Sequence, residues 1–320
     1  MRALCLIAVL LLFGVRSLAG AEAPGFRAGV ARPSAAGEAA FEMLVWYPTE
    51  AEEVPWQAGP FPMPATRDAA VAPGRFPVLL LSHGGGRGGG TPLILREISV
   101  ALARRGYLVI APFHGRPGLA GRPLQMRRAL ESVRADPRFA EHLDTARLGM
   151  LGFSLGTAVT LQLAGAVPNP AHLLAYCAAH PRDTMSCRQV RDGNSTAPPP
   201  ALAEPGAAPP LPLKALVLMD PFAVLFQRPE LVRVSMPVLI LRPEASELPG
   251  EANASGLAAA LPQAPQVQTI PGGHFVFADI CPAVLRAGSP ELCEDPPGVD
   301  RAAVHAALQA RIIAFLGEHL

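Results

Sequence analysis

Apolar residues in this chain gather into short unbroken runs, set apart by polar or glycine- and proline-rich stretches. Residues 76–81 (FPVLLL), 107–111 (YLVIA), 148–151 (LGML), 215–219 (ALVLM) and 238–241 (VLIL) are such runs. They are too short for helices and are stopped by Gly, Pro or Asp, so they read as strands buried on both faces. Residues 41–47 (FEMLVWY), ended by Pro48, and 267–270 add two more strand-like runs. Between them, 92–105, 124–133 and 157–166 carry helical spacing, and 301–316 closes the chain as an amphipathic helix. This alternation predicts an α/β fold with a mainly parallel central sheet and helices on both faces.

The intervals are equally informative. The chain up to Phe41 reads as loop, and 50–75, rich in Pro and Gly, as a long surface connection. Residues 193–213 form an Ala/Pro-rich insertion that cannot build a packed core. No repeat of fixed period interrupts the pattern. Residues 22–320 are therefore expected to form a single domain with a loose insertion.

Residues 1–21 have the layout of a cleaved signal peptide. Met1-Arg2 starts it, residues 3–15 are apolar, and Ala19-Gly20-Ala21 offers a cleavage site. The apolar run falls short of the ~20 residues that a spanning helix needs, so no transmembrane segment is expected in the mature form. The predicted location is secreted or periplasmic. Of five cysteines, Cys5 leaves with that segment. Cys177, Cys187, Cys281 and Cys293 remain, an even set that an oxidising compartment would pair in one of three ways. The local pairs Cys177–Cys187 and Cys281–Cys293 are favoured, since each would staple one irregular segment. With a formal net charge of +1 and no basic run, the chain does not read as a nucleic-acid binder.

The sharpest chemical signal is Gly152-Phe153-Ser154-Leu155-Gly156, placed after a buried strand and opening a helix. A tight strand-to-helix turn projects a serine hydroxyl above a sheet, and glycines on both sides avoid clashes. Ser154 is the candidate nucleophile. Ser82-His83-Gly84-Gly85-Gly86 follows another strand and offers amides to a tetrahedral oxyanion, with Gly85 and Leu155 as the candidate donors. Gly84, Gly86 and Gly89 also match a dinucleotide motif, but the next strand ends in Pro112-Phe113-His114, without the acid that holds a ribose. No lysine follows the glycines, which removes a phosphate-binding loop.

A serine needs a base, and His274 in Pro271-Gly272-Gly273-His274-Phe275 is the best placed of eight histidines. His83 and His114 read as structural or substrate-lining. No pair of histidines has metal-ligand spacing such as H-E-x-x-H, so no metal is expected. The acid that orients the base has two candidates. Asp220 directly follows the strand 215–219, and Glu247 lies in the loop after the next strand. Asp220 is preferred because no spacer separates it from its strand.

Together these residues resemble the α/β-hydrolase superfamily, in particular its branch of predicted dienelactone hydrolases. That branch is similar to platelet-activating-factor acetylhydrolase and to bacterial polyester hydrolases. The resemblance rests on Val45-Trp46-Tyr47-Pro48, Leu81-Ser82-His83-Gly84, Ala111-Pro112-Phe113-His114-Gly115, the Ser154 turn, Gly273-His274-Phe275 and residues 293–301. It implies cofactor-free hydrolysis of a small-molecule ester, and an α/β-hydrolase fold over most of the chain. It does not imply dienelactone as substrate, because true dienelactone hydrolases use cysteine where Ser154 stands. Two departures from the pattern are Thr157, where many relatives have glycine, and Ser246, where many have an aspartate. The acetylhydrolase-like relatives place their acid one strand earlier, which supports Asp220. An amidase or peptidase would use the same residues. A binding protein on a hydrolase scaffold would lack the intact Ser, His and glycine turn.

Overall fold

The computed structural model describes residues 25–37, 40–85, 90–115, 118–191 and 208–320. Within them the strands are β1 (Arg27–Ala31), β2 (Ser34–Ala35), β3 (Phe41–Thr49), β4 (Trp56–Ala58), β5 (Phe61–Met63) and β6 (Thr66–Arg67). After these come β7 (Phe76–Ser82), β8 (Leu108–Pro112), β9 (Leu143–Phe153), β10 (Ala215–Met219), β11 (Val238–Ala245) and β12 (Gln266–Gly273). The large sheet runs β12-β11-β10-β9-β7-β8-β3-β1-β6, with β2 paired to β3. From β12 to β8 every pairing is parallel, and β3 joins β8 antiparallel.

Each parallel strand is apolar on both faces because each face has its own cover. Along β7, Val78 and Leu80 enter one core while Leu79 and Leu81 enter the other. The same alternation places Leu216 and Leu218 of β10 opposite Val217 and Met219. Helices α2 (Arg122–Ala135), α3 (Leu155–Leu163) and α4 (Pro170–Ala179) cover the first face. Helix α1 (Arg96–Arg104) and the C-terminal helix Arg301–His319 cover the second. Among the described residues no helix is long and apolar enough to cross a membrane.

Three intervals depart from expectation. The chain before Phe41 contains β1, which pairs antiparallel with β3 and sets Gly29 opposite Tyr47. A Cβ at Gly29 would collide with the Tyr47 ring, so this strand is made of small residues and shows no hydrophobic period. Residues 50–75 are not merely a surface connection. β4 and β5 pair there, and Met63 is fully buried, accepting from Trp46 Nε1 at 3.4 Å. The break after residue 166 contains α4, whose Asn169 side chain accepts from the His172 amide at its N-terminus. Most of the proposed insertion, and all of the signal segment, lie outside the described residues. The insertion's last part is anchored: Leu211 N–H bonds Leu163 O at 2.8 Å, and Leu213 is buried.

Cys177 is bonded to Cys187 and Cys281 to Cys293, across separations of 10 and 12 residues. Closing loops of that size removes chain entropy from the unfolded state, worth about 2–3 kcal/mol each.

Candidate active site

Ser154 occupies the single residue between β9 and α3, with φ 53° and ψ −121°. Side chains seldom adopt positive φ, so the surroundings must hold it there. Its N–H bonds Met219 O at 3.0 Å, and its carbonyl accepts the amide of Thr157 at 3.0 Å and the Thr157 hydroxyl at 2.6 Å. A Cβ on Gly152 would lie 2.6 Å from Gly156 O, and one on Gly156 would overlap the Ser82 carbonyl. The sharp turn therefore admits only glycine at both places. Thr157 locks this turn with its hydroxyl.

Asp220 directly follows β10 at φ 39°, and its amide bonds Leu241 O in the neighbouring strand. His274 begins a single helical turn, His274–Phe277, directly after β12. His274 Nδ1 lies 2.6 Å from Asp220 Oδ2, and its Nε2 lies 3.0 Å from Ser154 Oγ. A carboxylate only accepts, so Nδ1 carries the proton and Nε2 is the acceptor for the serine hydroxyl. Asp220 and His274 are buried, and the Phe153 ring stacks on the imidazole at 5.1 Å. Ser246 donates to the same Asp220 oxygen at 2.6 Å. Glu247 reaches the backbone instead, accepting the His274 N–H at 3.0 Å. Of the two candidate acids, Asp220 is the one on the imidazole, and Glu247 holds the turn that carries it.

The glycine turn after β7 packs directly on Ser154: a Cβ on Gly84 would lie 2.9 Å from Ser154 Cβ. The Leu155 amide heads α3, where helical N–H groups lack internal acceptors. Behind the turn lies a fully buried polar layer. Ser82 Oγ meets His114 Nε2 at 2.8 Å, and His114 Nδ1 meets Gln125 Oε1 at 2.6 Å. Arg122, buried at the start of α2, donates to the carbonyls of His83 and Gly85 at 3.3 and 2.8 Å. Burial, then the Arg122 charge, pushes His83 down to about 3. Burial, then the charges of His83 and Arg122, lowers His114 as well. Both histidines are thus neutral framework. The roles of Arg122 and Gln125 carry no motif, and the signal for Ser246 is its place where the resemblance expects an aspartate.

All these loops leave the carboxyl ends of parallel strands. The chain crosses from β7 to β8 on one side, then returns to β9 on the other. Such a switch point opens a crevice above the sheet, where open α/β folds bind ligands. A cavity of 970 Å³ lies on the Glu247 side, bounded also by Tyr176, Val224 and Phe226. Among the described residues, one group has carboxylates and a histidine close enough for a metal: Glu97, Asp279 and His305. Arg96 Nη1 already holds Asp279 Oδ2 at 3.1 Å, and His305 Nε2 lies 2.7 Å from Val276 O. The group fits an ion-pair network that supplies its own cation.

The overall fold is similar to that of a ferulic acid esterase from Streptomyces cinnamoneus. The two share 18% sequence identity at a TM-score of 0.59, over 94% of this chain and 92% of that one. This is an α/β-hydrolase-like fold. No protein-family profile and no curated protein sequence matches the chain.

Proposed function

We propose that this protein is a serine hydrolase that cleaves a carboxylic ester through an acyl-enzyme on Ser154. The observation that carries the reading is the unbroken hydrogen-bond chain from Ser154 Oγ through His274 to Asp220. His274 Nε2 takes the serine proton as Oγ attacks the ester carbonyl, and the buried carboxylate stabilises the imidazolium that forms. The Gly85 and Leu155 amides receive the oxyanion. His274 then protonates the leaving alkoxide, and a water, activated by the same imidazole, releases the acid and restores Ser154. The neighbour of like fold is named for an esterase activity, which supports an ester over an amide. The motifs support a place in the dienelactone-hydrolase-like branch, and the first 21 residues support export. Two disulfides support an oxidising compartment.

A fluorophosphonate probe should label the wild-type protein once and Ser154→Ala not at all. Hydrolysis of p-nitrophenyl esters should fall by several orders of magnitude in that variant, leaving catalysis by oriented amides alone. Activity within about tenfold of wild type would remove Ser154 from the mechanism. Matched ester and amide substrates separate the esterase from the peptidase.

A further inference from the structure

We infer that His83 is a positioning residue which aims the Gly85 amide at the developing oxyanion; this rests on the reading of Ser154 as nucleophile. The two ring nitrogens of His83 have different partners. The His114 backbone N–H donates to Nε2 at 3.3 Å, so Nε2 is bare and the proton sits on Nδ1. Nδ1–H then donates to Gly84 O at 2.7 Å. That carbonyl and the Gly85 N–H belong to one peptide unit, and among the described residues no peptide bond is cis. In a planar trans peptide the two groups point in opposite directions. Fixing the carbonyl on the imidazole therefore turns the Gly85 amide away from it. The carbonyl side is also closed sterically: a Cβ at Gly90 would meet Gly84 O and lie 2.8 Å from His83 Nδ1.

Two further contacts fix the rest of the turn. Arg122 holds the carbonyls before and after this peptide, those of His83 and Gly85. His114, which presents its amide to His83, is itself tied to Ser82 and Gln125. The low pKa of His83 keeps Nε2 an acceptor for the His114 amide throughout the range where ordinary histidines titrate, which leaves the ring proton on Nδ1. A turn containing consecutive glycines has little stiffness of its own, so the direction of its amide must come from such partners. An amide held in place before reaction costs no reorganisation when charge develops.

The test compares His83→Asn with His83→Gln in the full chain. An Asn side-chain nitrogen stands where Nδ1 stands, whereas that of Gln reaches toward Nε2. Rates on p-nitrophenyl acetate are normalised to active sites counted by exhaustive fluorophosphonate titration. His83→Gln should lower kcat by about 10²-fold, the scale of losing one oxyanion donor, with KM within about threefold. Binding of a trifluoromethyl ketone, which forms a tetrahedral adduct, should weaken by a similar factor. His83→Asn should keep kcat within about tenfold of wild type. Equal kcat per active site in the two variants overturns the inference, as does a loss that appears only in KM. If Ser154→Ala is also active, the hydrolase reading has failed; if Ser154 is essential but the two variants agree, only the role of His83 has.

Discussion

Two buried aspartate–histidine pairs lie close together in this molecule, and only one has an imidazole nitrogen facing a hydroxyl. Asp220 accepts from His274 Nδ1 at 2.6 Å, and His274 Nε2 faces the Ser154 hydroxyl. Asp279 lies 3.9 Å from His305 Nδ1, but His305 Nε2 donates to the Val276 carbonyl at 2.7 Å. A hydroxyl can give up a proton to an imidazole and a carbonyl cannot, so the second pair leads nowhere. The surroundings differ too. Asp220 keeps a hydroxyl, Ser246, as its other side-chain partner, whereas Asp279 is shared with Arg96 and the Glu97 amide. The second pair nonetheless serves the first. Val276 lies in the turn that His274 begins, and the Asp279 amide bonds Ile94 O, tying that turn down beside α1. An Asp–His contact is thus not itself a catalytic signature; what the outer nitrogen faces decides.

The largest test of this contrast exchanges each aspartate for its amide. Asp220→Asn should lower kcat by about 10³ or more, because the imidazolium it stabilises exists mainly in the transition state. Asp279→Asn should keep kcat within about tenfold while lowering the unfolding temperature. Steady-state kinetics and thermal unfolding on both variants decide it. A crippled Asp279→Asn beside an active Asp220→Asn would reverse the assignment of the two pairs.

A smaller effect separates Asp220's neighbours. Ser246→Ala removes one donor from the carboxylate but leaves the imidazole contact, so kcat should fall by about tenfold or less. If kcat does not change, Ser246 only anchors the loop through Leu248, whose amide it also accepts. Glu247→Gln keeps an acceptor for the His274 amide and should change kcat by less than about tenfold.

The parts visible in the sequence share a physical cause. Strands buried on both faces must be apolar at every position, so β7, β8, β10 and β11 stood out as continuous runs. The Ser154 turn was legible because Gly152 and Gly156 are imposed by backbone contacts within the turn and with Ser82. What stayed hidden depends on distant partners. β1 is a strand because β3 lies beside it, and its small residues reflect the Tyr47 ring. Arg122 looked like an ordinary helical arginine, although its guanidinium reaches back to the glycine turn 37 residues earlier. Asp220 and Glu247 could not be separated by position alone, since both follow neighbouring strands on the same side of the one that carries the histidine loop. Only the three-dimensional arrangement sends one to the imidazole and the other to the backbone.

The weakest expected effect is a dependence of stability on pH that belongs to the second pair alone. Burial, then the charge of Glu97, pushes Asp279 up to about 8. Burial opposes a charge on His305, but the bond to Glu97 and the nearness of Asp279 outweigh it and raise its pKa. For both groups the folded state holds a proton that the unfolded chain releases at lower pH. Their contribution to stability is therefore present at low pH and is lost as pH rises through the folded pKa values. His83 and His114 behave oppositely, since their pKa values are depressed by folding. They weaken the fold only below about pH 6.5, where unfolded histidines take up protons. Between pH 7 and 9 the unfolding temperature of the wild type should consequently fall by a few degrees, about 2–5 °C on the scale of a protein this size. Asp279→Asn cannot release that proton, so its curve should be flatter, although it starts lower. Ser154→Ala, which touches neither group, should follow the wild type. Parallel curves for wild type and Asp279→Asn would mean that Asp279 does not titrate in this range, and that the network around Arg96 holds two full carboxylates throughout.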